Sequence, residues 1–196
     1  MSRLELHCTC VDCFLPIAHF LDSAEIDRAT NAAMSAVEFA AEIAALEGRN
    51  GLGTVVLALP TADDTLAKSA IHALTTAAER HGVRLAVPTT DAARIRPPLL
   101  VAVDPAQVLA NGGDPAAIAL AANGRLGASR IVDLLRSGTR GPIGEPREGQ
   151  LEVSAFVSAC RAAGFAGEFV IDMRQWMDPR GGLLATIERF QREVFE

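Results

Sequence analysis

Three aspartates are placed where this chain could do chemistry, because each one closes a short apolar run. The runs are Leu99–Asp104, Ser129–Asp133 and Glu168–Asp172. Runs of this kind, separated by helix-like segments, are typical of parallel strands that are buried on both faces. In parallel α/β folds, catalytic and binding groups gather at the carboxyl ends of the strands. We therefore expect the three terminal aspartates to lie on one rim of a sheet.

A second group of chemically capable residues lies near the N-terminus and comprises His7, Cys8, Cys10 and Cys13, with His19 close by. Thiolates and imidazoles at short spacing suit zinc or a similar metal. A structural zinc site usually needs a second ligand pair, however, and alternation along a strand would place His7 and Cys8 on opposite faces. Two alternatives follow: a metal site at these four residues, or small half-buried residues at a strand end.

The composition bounds the class of protein. The chain of 196 residues is long enough for one substantial core, and we expect a single domain over residues 1–196. Its 49% hydrophobic and 21% charged residues exclude disorder, and a net charge of -6 favours neither nucleic acid nor an anionic membrane as a partner. No apolar run approaches the ~18 residues of a membrane span, and no signal-peptide core is visible. We expect a cytoplasmic protein with reduced cysteines.

Strand-like and helix-like segments alternate along the whole chain, which predicts right-handed βα crossovers and a parallel sheet. The predicted strands are Leu4–Cys8, Thr54–Leu59, Val83–Val87, Leu99–Asp104, Ala128–Leu134 and Glu168–Met173. Ser23 or Asp27 is predicted to cap the first helix, and Thr61 or Asp63 the second. The later helices are predicted to begin at Pro105, Pro115, Leu151, and Pro179 or Gly182. The predicted loops are Cys10–Phe20 and the Gly/Pro-rich segment Gly138–Gly149, and Pro88–Pro98 is predicted to be turn-like or at most a short helix.

Three stretches of the second half of the chain resemble a known family when taken in order. Ala102–Gln107, followed by Gly112–Pro115, is similar to that family's sixth strand and the segment after it. Arg125–Asp133 is similar to its seventh strand, and Gly141–Glu145, followed by Gly164–Gly167, to the loop and lead into its eighth. The family is the xylose-isomerase-like TIM-barrel superfamily, which contains sugar phosphate isomerases/epimerases and hydroxypyruvate isomerases.

The resemblance implies an eight-stranded barrel, but only six strands are predicted here. When the chain is aligned on its last stretches, the strand of His7 corresponds to the family's third, so we expect this sequence to lack the family's first two βα units. We therefore expect an α/β fold with an incomplete (β/α) TIM-barrel-like parallel sheet of about six strands and outer helices. An incomplete barrel exposes strand edges, which predicts a homodimer or a heteromeric partner. A six-stranded open or rearranged sheet is the alternative.

The resemblance also implies a divalent metal held by Glu, Asp, His and Glu from strands five to eight, and this chain departs from that set. Val87 lies near the first position and supplies no carboxylate, while Asp104 matches the second and Asp172 shortens the last. Gln107 stands where a histidine accompanies the strand-six Asp, and Arg130 stands where the strand-seven His would be. A divalent metal at the two aspartates is one alternative. A guanidinium in the metal's place, paired with them, is the other.

The function that the resemblance implies is a sugar phosphate isomerase or epimerase-like activity on a small sugar or hydroxy-keto compound. Asp104 and Asp172 would then transfer the proton as base and acid, with Arg130 as the electrophile. The expected substrate-binding residues are Gln107, Asp133, Glu145 and Arg174. The alternative is a non-catalytic relative that binds a ligand or a partner chain through the open barrel.

Overall fold

The computed structural model describes residues 7–48, 53–60, 65–145 and 147–195. The chain divides into two compact units. Unit 1 takes in residues 1–88 and 94–100, and unit 2 takes in residues 89–93 and 101–196.

The described part of unit 1 holds three parallel strands, in which Val55 pairs with Val11 on one side and with Leu85 on the other. The strands are β1 (Val11–Cys13), β2 (Thr54–Leu57) and β3 (Arg84–Pro88). All four residues of β2 are buried, as expected for a parallel strand covered on both faces.

Two long helices cover these strands, α1 (Ile26–Leu46) and α2 (Thr65–His81), with a 3-10 helix at Ile17–Phe20. Both helices bury small residues at helical spacing, which lets them lie close to the sheet. The buried residues are Ala29, Ala33, Val37, Ala40 and Ala44 in α1, and Ala67, Ala70, Leu74, Ala77 and Ala78 in α2. Phe20, fully buried, fills the core of this unit.

Unit 2 holds three further parallel strands, of which β5 pairs with both others. The strands and helices of this unit are β4 (Leu100–Val103), α3 (Pro105–Ala110), α4 (Pro115–Ala122), β5 (Leu126–Ile131), β6 (Asp133–Leu134), β7 (Arg140–Gly141), α5 (Val153–Ala162), β8 (Phe169–Ile171) and α6 (Pro179–Phe195). Strands β6 and β7 form a separate antiparallel pair. A second 3-10 helix, Ala92–Arg94, precedes β4.

Two short helices of unit 2 have the same N-terminal capping arrangement. Asp104 is the N-cap of α3 and Asp114 the N-cap of α4, and each carboxylate accepts a backbone N–H of the first turn. Each aspartate is followed by a proline, whose fixed φ suits the first helical position and whose missing N–H costs nothing there. Helix α4 ends at Asn123 in the left-handed region, with φ of 41°.

The predicted fold class is confirmed. Within the described residues, six parallel strands, β1 to β5 and β8, alternate with helices in an α/β arrangement of the incomplete TIM-barrel-like kind. The strands predicted at Thr54, Val83, Leu99 and Glu168 are found within two residues of their predicted starts.

The start of the chain differs from its prediction. Leu4 to Leu6 lie outside the described residues, His7 and Cys8 are not in a strand, and the first described strand is Val11–Cys13. The prediction of a loop over Cys10–Phe20 is therefore wrong. A three-residue strand carries too little periodicity to be recognised, and its pairing with β2 decides its conformation.

Two further boundaries differ. Helix α1 takes Glu25 as its N-cap without a side-chain hydrogen bond, so the prediction of Ser23 or Asp27 as cap is wrong. The predicted caps of α2, Thr61 and Asp63, lie outside the described residues. The strand predicted over 128–134 is wrong at its end, because β5 stops at Ile131, and Asp133 and Leu134 pair with β7 instead.

None of the helices in the described ranges combines the length and the apolar character that crossing a membrane requires.

In unit 2, the side of α6 that carries Leu184 and Ile187 is exposed, as are Met173 and Met177 after β8. The predicted homodimer or heteromeric partner stays a prediction.

Candidate functional site

The carboxyl ends of β4, β5 and β8 bring together Asp104, Arg130 and Asp172. Asp104 follows β4 directly, Arg130 is the penultimate residue of β5, and Asp172 follows β8. Parallel registration aligns them: Val103 pairs with Ser129, and Arg130 pairs with Val170. Ser129 is buried against Cys160 of α5, so Arg130, its neighbour in the strand, points to the other face.

Two more arginines complete this group. Arg140 comes from β7 in the Gly/Pro-rich loop, and Arg174 follows Asp172 by two residues. We name the five side chains Asp104, Arg130, Arg140, Asp172 and Arg174 the Asp–Arg cluster. Arg140 did not emerge from the sequence as a site residue.

Arg140 is the centre of the Asp–Arg cluster. Its Nη1 donates to Asp104 Oδ1 at 3.1 Å and its Nη2 to Asp104 Oδ2 at 2.9 Å, a two-bond pairing of guanidinium and carboxylate. The same Nη2 donates to Asp172 Oδ2 at 2.7 Å. One guanidinium therefore bridges both carboxylates.

Arg130 and Arg174 also donate hydrogen bonds to these carboxylates, Arg130 to Asp104 and Arg174 to Asp172. Arg130 Nη1 donates to Asp104 Oδ2 at 3.0 Å, and its Nε lies 3.8 Å from Asp172 Oδ2. Arg174 pairs with Asp172 twice, Nε to Oδ1 at 2.7 Å and Nη2 to Oδ2 at 2.5 Å. Both aspartates are 5% exposed, so these ion pairs are shielded from solvent screening.

The arginines decide the protonation of Asp172. Burial alone raises the pKa of this carboxyl group, but the hydrogen bonds from Arg174 and the charges of Arg140 and Arg174 outweigh burial and lower the pKa from 3.8 to about 2. Asp172 is thus an ionised ion-pair partner at neutral pH and holds its place only while it stays ionised.

This shift predicts how stability depends on acid. Because the pKa of Asp172 is lower in the folded chain than its ordinary value of 3.8, its contribution is present above about pH 4 and is lost as pH falls towards about 2. We expect the urea midpoint of the wild type to fall over that window, and to fall less in Asp172→Asn. Asp178→Asn, at an exposed carboxylate, serves as the control. An unchanged slope in Asp172→Asn would contradict the assignment.

Asp133 is placed differently from the other two aspartates. It is fully buried, and its Oδ1 accepts the backbone N–H groups of Leu134 at 2.8 Å, Gln150 at 3.0 Å and Leu151 at 2.8 Å. Gly149 lies so close to Oδ2 that a side chain at position 149 would collide with it. The carboxylate therefore ties the two ends of the loop together.

Gln150 strengthens the same closure. Its Nε2 donates to the carbonyl oxygens of Leu134 at 3.0 Å and Leu135 at 3.2 Å, across the neck of the loop. Since β7 pairs with β6 inside this closed loop, Asp133 and Gln150 fix the strand that carries Arg140. We name this closure the loop staple. The predicted role of Asp133 in substrate binding stays a prediction, and the structure gives it a positioning role.

The remaining predicted binding residues are more peripheral. Gln107 is exposed, and its backbone N–H donates to Asp104 Oδ1 at 3.2 Å. Glu145 is exposed, and its backbone carbonyl accepts the N–H of Gly149 at 3.0 Å.

Trp176, beyond Arg174, is buried against Val132 and Leu134, and its indole Nε1 has no hydrogen-bond partner among the described residues.

The Asp–Arg cluster does not suit the divalent metal that the resemblance implies. All four carboxylate oxygens already accept guanidinium or backbone N–H groups, and arginine in its charged form does not ligate a metal. Within the part of the chain that the structure describes, no three His, Cys, Asp or Glu side chains are grouped to hold a metal ion.

The N-terminal residues His7, Cys8, Cys10 and Cys13 lie in unit 1. Cys8 N–H donates to Glu47 Oε1 at 2.7 Å, and Cys8 Sγ lies 3.5 Å from the carbonyl oxygen of Cys10. Burial and the neighbouring Asp12 charge raise the pKa of the Cys13 thiol, which disfavours the thiolate that a metal binds. Metal binding by these residues stays a prediction.

Comparison with known proteins supports the fold. An L-ribulose 3-epimerase of known structure superposes with a TM-score of 0.70 at 16% sequence identity, and the match covers 98% of this chain and 78% of the epimerase chain. No family model matches the sequence, and no curated protein matches it. At this identity the likeness establishes the shared fold, and membership of the superfamily stays a prediction.

Proposed function

We propose that this chain is a sugar isomerase/epimerase-like protein that binds a small sugar or hydroxy-keto compound at the Asp–Arg cluster, and that the cluster serves binding rather than proton transfer. The observation that carries the proposal is the ion pairing of both carboxylates with guanidinium groups at the carboxyl ends of the strands. The fold shared with an L-ribulose 3-epimerase supports the class of ligand.

The ion pairing explains why proton transfer is disfavoured. A general base works best when its pKa lies near the operating pH. The pKa of Asp172 is lowered to about 2, so this carboxylate takes up a proton only weakly at neutral pH. The guanidinium groups around it keep their protons at any physiological pH, so they cannot replace it as acid or base.

The same groups are well suited to binding hydroxyls. Guanidinium groups offer several N–H donors in a fixed plane, which can donate to the hydroxyl and carbonyl oxygens of a ligand. Because the cluster side chains hold one another in place, little conformational entropy is lost when a polar ligand binds. A polyhydroxylated compound can thus exchange its hydrogen bonds to water for hydrogen bonds to a rigid surface.

A second candidate is catalysis at the same site, and the position of Arg130 favours it. Its guanidinium contacts Asp104 at 3.0 Å and lies 3.8 Å from Asp172, so it stands between the two carboxylates. A cation in that position could stabilise the developing oxyanion of an enediolate. Asp104 and Asp172 would then have to transfer the proton.

One experiment tests both candidates. Neutral ketoses and aldoses, with L-ribulose among them, are titrated calorimetrically against the full chain, and the same mixtures in D₂O are followed by NMR for loss of C–H signal next to the carbonyl. Binding without exchange supports the binding function. Exchange that disappears in Asp104→Asn and Asp172→Asn establishes the catalytic candidate instead. If no sugar or hydroxy-keto compound binds, both are wrong.

A further inference from the structure

The loop after β8 makes a β-turn that includes Arg174 of the Asp–Arg cluster, and we name its four residues, Met173–Trp176, the rim turn. The backbone N–H of Trp176 donates to the carbonyl oxygen of Met173 at 3.2 Å and closes the turn. Gln175, the third residue of the turn, has a φ of 69°. A β-turn with positive φ at this position favours glycine, because a larger side chain is strained there. Glutamine therefore occupies a position that glycine would occupy without strain.

The residues on either side hold Gln175 in this conformation. Arg174 donates its backbone N–H to Asp172 Oδ1 at 3.1 Å and its Nε to the same oxygen at 2.7 Å. Trp176 is 6% exposed and packs against Val132. The backbone of Gln175 can thus relax only if one of these contacts breaks. Strain that the surroundings maintain in this way is typical of residues at binding and catalytic sites.

The rim turn carries a second unfavourable feature. The indole Nε1 of Trp176 is buried and has no hydrogen-bond partner among the described residues. A buried N–H donor is normally paired, and an unpaired one is explained when a ligand or an enclosed water completes its hydrogen bonding. Two unfavourable features in four residues, one of which is an arginine of the Asp–Arg cluster, indicate a turn shaped for binding rather than for stability.

Gln175 lies where it can reach a ligand of the Asp–Arg cluster. It is exposed, and the side chain of Arg174, one residue before it, is 44% exposed. Consecutive Cα atoms are about 3.8 Å apart, so one small ligand can contact both side chains. The amide of glutamine presents a carbonyl acceptor beside an NH₂ donor, and this pair matches two neighbouring hydroxyl groups.

We propose that Gln175 is a specificity-determining residue of this site, whose amide accepts a hydrogen bond from one hydroxyl group of the ligand and donates one to the neighbouring hydroxyl group. This inference rests on the proposed function and names the residue that selects among its ligands. The arginines of the cluster only donate, so they bind a hydroxyl and a carbonyl oxygen alike. Gln175 adds an acceptor, and only the hydroxyl can donate to it.

Gln175→Gly separates the strain of this residue from its contact with the ligand. Glycine relieves the strained backbone, so we expect Tm to rise by about 2–4 °C. It also removes the amide, so we expect the affinity for D-ribose, measured by calorimetry on the full chain, to fall about tenfold. The wild type should bind 2-deoxy-D-ribose or 3-deoxy-D-ribose, each of which lacks one hydroxyl, about tenfold more weakly than D-ribose. Gln175→Gly should bind all three sugars alike.

Arg147→Gly is the matched control for this experiment. Arg147 is also an exposed residue with positive φ, 64°, but it lies outside the Asp–Arg cluster and the rim turn. We expect a similar rise in Tm, with the affinity for D-ribose and the preference among the three sugars unchanged. This variant therefore shows what the relief of strain does by itself.

Gln175→Asn keeps the test decisive if Gln175→Gly does not fold. Asparagine tolerates positive φ but holds its amide one methylene closer to the backbone, so the preference among the three sugars should weaken. A preference that both variants retain, or a lower Tm in Gln175→Gly, overturns the inference and leaves the proposed function standing. Equal affinity of the wild type for the three sugars, or binding of other sugars only, does the same. If the wild type binds no sugar or hydroxy-keto compound at all, the proposed function fails together with the inference.

Discussion

Alanine in place of Asp104 is expected to lower the free energy of unfolding by about 3–5 kcal/mol. The side chain of Asp104 is 6% exposed and accepts hydrogen bonds from Arg130 and Arg140, which are 13% and 19% exposed. Without it, two guanidinium groups repel each other in a poorly solvated site and share Asp172 as their remaining carboxylate in the cluster. The substitution also removes the N-cap of α3. Urea unfolding at neutral pH measures the loss.

Asp114→Ala is the matched control for this experiment. Asp114 is also an N-cap followed by proline, and its Oδ1 accepts Ala116 N–H at 2.8 Å, but it is exposed and lies outside the Asp–Arg cluster. Its loss should therefore cost about 1 kcal/mol, the usual value of a cap. The difference between the two variants isolates the ion pairs. Equal losses would show that the cluster contributes nothing to stability beyond the cap.

The convergence of Asp104, Arg130 and Asp172 could be predicted from sequence. Each residue lies at the end of an apolar run, and parallel strands that alternate with helices carry their carboxyl ends to the same rim. A guanidinium beside the two carboxylates also followed from residue type as one of two alternatives, because Arg130 stands where the family has a metal ligand and cannot act as one.

Arg140 could not be predicted, because its position depends on the path of a loop. The Gly/Pro-rich segment carries no periodicity, and its course is decided by hydrogen bonds from residues on both sides of it to Asp133. The sequence signal that points to a residue such as Arg140 is the imbalance between carboxylates and arginines at the predicted rim. A buried rim with three carboxylates and one arginine is incompletely paired, which calls for another cation from a nearby loop.

The role of Asp133 was hidden for a related reason. From sequence, all three aspartates end similar runs, and nothing distinguishes one that faces a ligand from one that faces backbone. The structure distinguishes them: β5 stops at Ile131, and the turn into β6 carries Asp133 away from the Asp–Arg cluster towards the neck of the loop. Whether the strand ends at Ile131 or runs on through Asp133 therefore decides which groups this carboxylate faces.

Asp133→Ala is expected to cost about 3 kcal/mol or more, because three backbone N–H groups, two of them in buried hydrogen bonds, lose their acceptor at once. Asp133→Asn should cost less than about 1 kcal/mol, since its amide oxygen can accept the same N–H groups. Burial raises the pKa of Asp133, against the lowering effect of the backbone N–H groups, so asparagine also removes a charge that is costly to bury. Urea unfolding compares the two, with Asp91→Ala, an exposed aspartate that accepts one backbone N–H, as the control.

Hydrogen exchange separates the loop staple from a general effect on folding. In Asp133→Ala the backbone N–H groups of residues 134–151 should lose protection first, because the staple that closes this loop is gone while the strands of unit 2 keep their pairing. In Asp133→Asn the loop should stay protected. If both variants lose protection equally, the carboxylate charge itself is needed; if neither does, Gln150 alone closes the loop, and Asp133 is not the residue that positions Arg140.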